Sequence, residues 1–225
     1  MSDPTPIQYE TDPDKIDWMT AYQDQQYRWY LAGSMVGFGA MEFKRARIIG
    51  GLSALQAIHE HVRKGIISMD TAANSMHPFI LDWMNDEVRI CTFFENYMKA
   101  KLLSMGAVIH TFKNSAKGTP SHRLQKALRD DPMDARSLVA NNITNQDLSY
   151  KTISMSLMLS ESYQKAIELP QDVLQIVRQM NRSRNKLHLK TDASGEMGLK
   201  TLDDLKLLDV FVDAQIERLK KSMNR

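Results

Sequence analysis

Arg182, Arg184 and His188 fall within one short stretch, Arg182-Ser183-Arg184-Asn185-Lys186-Leu187-His188, with Asn181 just before it. Histidine titrates near neutrality, so His188 can take or give a proton at physiological pH. Arginine is permanently charged and offers a planar fork to phosphate oxygens, which suits Arg184 or Arg182. Cleaving RNA without a metal needs a base for the 2′-hydroxyl proton, an acid for the leaving 5′-oxygen, and positive charge at the phosphorane. One histidine and one or two arginines per chain make half of such a site.

These residues need a helix to position them. Pro170 suits a first helical position, and Asp172 favours the positive end of the helix dipole. Val173, Ile176, Val177, Met180 and Leu187 then recur at helical spacing as an apolar stripe. Arg184 occupies a slot in that stripe that should be apolar. At about 100° per residue, Arg184 and His188 project within roughly 40° of each other, and Asn181 lies on the same side. A second stripe runs through Ile80, Met84, Val88, Cys91, Met98, Leu102 and Met105, and there Glu95 fills the slot between Cys91 and Met98. Two helices thus each carry one ionisable group on the face to be buried. Buried charges are costly unless paired, so Glu95 is expected to meet Arg184 in the interior.

These stretches resemble the HEPN superfamily (higher eukaryotes and prokaryotes nucleotide-binding). Its signature is an Arg, four to six residues and a His near the end of a late helix, often with Asn after the Arg. Arg182 and His188 have five residues between them, but Ser183 follows the Arg; Arg184-Asn185 has the favoured pair but leaves three residues before His188. Phe93 to Gly106, followed by His110, is similar to the early HEPN helix, which commonly reads acid, apolar, Lys-Ala, Leu-Leu, Gly, then His. The resemblance covers roughly residues 78–190 and implies an all-α fold. It further implies a metal-independent endoribonuclease with no cofactor, in which two copies place Arg184, Asn185 and His188 around one cleft at a homodimer interface. RNA as substrate, an antitoxin-type protein partner, and a role in a toxin pair or phage defence follow from the family alone. The alternative is a non-catalytic HEPN-like module for binding or dimerisation, whose Arg, His and Glu residues form a structural polar network. Arg182 lies roughly 120° from His188, so if it is the working arginine the helix must distort before His188.

The 225 residues can bury a sizeable core as one domain, and 43% apolar with 25% charged residues is ordinary for a globular protein. A net charge of +2 argues against holding nucleic acid by bulk electrostatics. The single cysteine, Cys91, reads as a small buried hydrophobe and excludes an internal disulfide, consistent with the cytosol. The polar N-terminus reads as no signal peptide, and no apolar run approaches the roughly 20 residues of a membrane span. The expectation is a cytoplasmic protein.

Residues 1–13 read as a flexible leader and 14–225 as a single helical domain, a bundle of about seven to nine helices with no sheet. The pattern turns helical from Asp14, with its aromatics docked on the bundle. Gly33, Gly37 and Gly39 read as a helix break or a close helix crossing, and a second helix runs from Glu42 to Lys64. His59 and His61 cannot chelate one ion there, because helical residues two apart face away from each other. A short helix capped by Ser68 or Asp70 ends at Asn74, Pro78 starts the long helix to Met105, and Gly106 ends it. Ser121 caps a helix through Arg129, and another lies around 134–141. Residues 146–169 read as helix. Thr191 to Gly198 is a turn, and Thr201-Leu202-Asp203-Asp204 opens a final helix with the stripe Leu205, Leu208, Phe211, Val212, Ile216 and Leu219 and a basic end.

Overall fold

The computed structural model describes residues 9–10, 12, 14–46, 57–113, 116–189 and 202–223, with the side chains of 73, 76–84, 186–189, 202 and 222–223 outside that set. Among the described residues the fold is helical apart from one small ribbon. Its elements are α1 (Trp18–Gln23), α2 (Gln25–Arg45), α3 (Met69–Ser104), β1 (His110–Phe112), α4 (Pro120–Asp130), α5 (Arg136–Ala140), β2 (Leu148–Thr152), α6 (Met155–Met158), α7 (Glu161–Ile167), α8 (Gln171–Leu189) and α9 (Leu202–Met223). Residues 57–63 are also helical. Most of the leader, Ile49 to Leu52, the 191–198 turn and the Thr201 cap lie outside the described residues.

Contacts divide the chain into two compact units: Met1–Met35 with Met98–Glu168, and Val36–Tyr97 with Leu169–Arg225. The first unit holds α1, the start of α2, the ribbon and α4 to α7. Asp17 caps α1 by accepting from Thr20 N at 3.2 Å, and Asp24 accepts from Gln26 N at 2.8 Å to open α2. Gly106, at φ 86°, turns the chain out of α3, and Ala107 N bonds back to Leu102 O at 2.9 Å. The strands then pair antiparallel, His110 opposite Thr152 and Phe112 opposite Leu148, with an irregularity between. Tyr163 donates to Leu128 O at 2.6 Å and fastens α7 to α4.

The second unit packs α8 and α9 with parts of α2 and α3. Phe93 meets Phe43 edge-on at 5.7 Å, and Phe211 stacks on Phe94 at 5.7 Å. On α9, Leu205, Leu208 and Val212 are buried; on α8, Val173, Ile176, Val177 and Met180 are. Lys44 binds both Asp209 and, at 2.8 Å, Asp213, joining α2 to α9.

Several expectations need correction. The three glycines do not break α2, which runs through them to Arg45, so Glu42 lies in its last turn instead of opening a helix. The alternative reading, a close crossing, fits Gly39: a Cβ there would stand 3.1 Å from Phe93 Cα. Helix α3 starts at Met69, capped by Ser68 Oγ accepting from Thr71 N, and spans Pro78 without stopping. A proline removes one helical bond, and a helix of 36 residues continues past that loss. The α4 cap is Thr119, accepting from His122 N, with Pro120 at the first turn, so Ser121 is inside the helix.

Residues 146–169 are not one helix but a strand and two short helices. Asp147 holds Thr144 N at 2.9 Å in a turn that aims Leu148 inward and starts the strand. Cys91, Met98 and Leu102 of the expected α3 stripe are fully buried, but the buried face is wider than the stripe and its edge differs. Val88 and Met105 are 42% and 57% exposed, while Ile90, Phe93 and Phe94 are sealed.

Candidate functional site

Along α3, Glu87, Cys91 and Glu95 follow at four-residue steps and form one row on the helix surface. Glu87 is 3% exposed and Cys91 is wholly buried. Across from them α8 presents Arg184, whose Nη1 stands 3.4 Å from Glu95 Oε2. Both side chains keep about a quarter of their surface, 25% for Arg184 and 23% for Glu95. The expected pairing is therefore present, but open to solvent and not interior. Beside it on α8, Asn181 and Ser183 are buried at 6% and 8%.

Burial pushes the Cys91 thiol up to about 12; the Arg184 guanidinium opposes that rise by charge and a hydrogen bond, and the Glu87 and Glu95 carboxylates add to it. Cys91 is thus a neutral thiol between two acids and facing one cation. Glu95 and Cys91 both engage Arg184.

Arg182 and Asn185 are exposed on α8. Of the two arginines, only Arg184 has the contact with Glu95. His188 is four residues past Arg184 in the same helix, and its side chain lies outside the described residues. Glu87 escaped the sequence reading, although it is four residues before Cys91 as Glu95 is four after.

A second polar cluster lies in the first unit. Ile109 N donates to the Tyr22 hydroxyl at 2.9 Å, and the hydroxyl shares a 2.8 Å hydrogen bond with His110 Nδ1. The Trp18 ring lies 4.2 Å from the imidazole, centre to centre. Burial, then the Lys99 charge, lowers His110 to about 4, so it is neutral at physiological pH. The Tyr22 hydroxyl is raised by burial, against the backbone N–H bonds from Ile109 and His110. This cluster fixes α1 to β1.

Among the described residues no three His, Cys, Asp or Glu side chains are grouped to hold a metal ion, and no helix is long and apolar enough to cross a membrane. No protein-family model, curated protein or solved structure matches the chain.

Proposed function

We propose that this chain is an HEPN-like, metal-independent endoribonuclease whose catalytic face is the Arg184–His188 end of α8. The observation that carries the reading is Arg184 itself: a guanidinium anchored on Glu95 and a quarter exposed, one turn before a histidine. Arg184 stabilises the phosphorane. His188 of one copy takes the 2′-hydroxyl proton, so that the 2′-oxygen attacks phosphorus. The P–O5′ bond breaks, and His188 of a second copy protonates the 5′-oxygen, leaving a 2′,3′-cyclic phosphate and a 5′-hydroxyl. A homodimer in the cytoplasm, acting as a toxin or in phage defence and held by an antitoxin-type protein, belongs to this proposal.

A second reading has its own support. Arg184 is engaged by Glu95 and Cys91, which is what a structural network fixing α8 on α3 would require. The full chain incubated with mixed single-stranded RNA in EDTA separates the two. The enzyme reading predicts cyclic-phosphate ends and a loss of roughly 10²-fold or more in rate for His188→Ala, with the fold intact. Absence of cleavage by the wild type, or cleavage that His188→Ala leaves unchanged, overturns it.

A further inference from the structure

In the first unit, a cleft of about 660 Å³ opens beside Gly106, walled by Arg28, Met105, Asp134, Arg136 and Val139. That volume is in the range that holds a small organic molecule. Its charge comes from two guanidiniums against one carboxylate. Asp134 is already committed: Arg136 Nε stands 3.0 Å from its Oδ1, and Arg136 Nη2 bonds its Oδ2. Those two bonds also hold the Asp134 carboxyl below its ordinary range.

Arg28 is not so satisfied. Its Nη1 donates to the Tyr22 carbonyl, which fixes the plane of the group. Its Nε is buried and has no hydrogen-bond partner among the described residues. A buried donor without an acceptor is expensive and rare in a folded protein. The Nε–Nη2 edge of an arginine is a fork matched to two oxygens of a carboxylate or phosphate. Gly106 brings no side chain over that group; a Cβ at this position would stand 3.9 Å from both Cζ and Nη2. Met105 and Val139, 57% and 52% exposed, give the cleft an apolar wall that faces solvent.

We propose that this cleft binds a small organic oxyanion, a carboxylate or phosphate on an apolar body, with the Arg28 guanidinium holding the head group and Arg136 at the rim. The site shares no residue with the α3–α8 face and does not depend on its activity.

Calorimetric titration of the full chain with phenyl phosphate, benzoate and inorganic phosphate tests it. At least one of the two organic anions should bind, one per chain, with Kd below about 1 mM, and the tighter one identifies the head group. Arg28→Lys keeps the charge and loses the fork, so it should weaken binding by about tenfold or more. Should that variant fail to fold, Val139→Trp decides: the position is half-exposed, and the indole should fill the cleft and abolish binding with the helical spectrum unchanged. Three results would overturn the proposal: no binding of either organic anion, binding that Val139→Trp leaves intact, or inorganic phosphate bound as tightly as phenyl phosphate, the mark of an adventitious ion only.

Discussion

Two polar clusters in this molecule differ in residue type and in how far they are buried. Around Tyr22 and His110 both rings are buried, the tyrosine hydroxyl bonds the Ile109 N–H and the imidazole, and the histidine is neutral at physiological pH. On the α3–α8 face the Glu95 carboxylate and the Arg184 guanidinium meet at 3.4 Å, each about a quarter exposed. Burial drives ionisable groups to their neutral forms, whereas partial exposure lets them stay charged. A cluster that must meet a phosphate needs the second condition. His110 therefore serves the fold, and Arg184 is where chemistry is to be sought.

The sharpest break in the comparison comes from pH. The ordinary histidine value is 6.5, and His110 is lowered to about 4. Between those values the unfolded chain binds a proton that the folded chain does not, so stability falls as pH drops through that window. The His110 contribution to that loss reaches about 3 kcal/mol at pH 4. Denaturant titrations at pH 7 and 4 should show a smaller difference in His110→Gln than in the wild type. An unchanged difference would mean His110 is not sealed.

Tyr22→Phe should cost somewhat less, about 2 kcal/mol, because it leaves His110 Nδ1 and the Ile109 N–H without their partner. Its effect should persist in high salt, since no ion pair is involved. Glu95→Gln should cost least, about 1 kcal/mol or below, and that effect should shrink further in about 1 M salt, as for any partly exposed pair. A salt-insensitive loss larger than that of Tyr22→Phe would place Glu95 in a sealed network and remove the contrast between the two clusters.

The helices that carry the α3–α8 face were largely legible in the sequence. Each shows an apolar stripe over several turns, and each stripe is interrupted by one charge, so the Glu95–Arg184 contact could be read from two misfits. The depth of that contact was not legible, because a stripe gives direction and says nothing of how far a neighbouring helix covers it. The ribbon was missed for a different reason. Strands of three and five residues offer too few alternations to compete with a helical pattern, and β1 pairs with β2 across 35 residues of intervening chain, from 113 to 147. The width of the buried face of α3 was not legible, because Asp86 and Glu87, both acidic, are buried there at 4% and 3%. Hydrophobic periodicity assigns such residues to solvent, and only tertiary partners reverse it.

The central claim is that Arg184 acts on a substrate and does not merely hold α8 to α3. Arg184→Lys tests it most directly, with RNA cleavage in EDTA and the thermal midpoint measured on the same preparation. Lysine keeps the charge that Glu95 needs and loses the planar fork that phosphate oxygens need. The account predicts a midpoint within a few degrees of the wild type and a cleavage rate lowered by roughly tenfold or more. A variant that cleaves at the wild-type rate, or that loses activity only in proportion to lost folded protein, would contradict it.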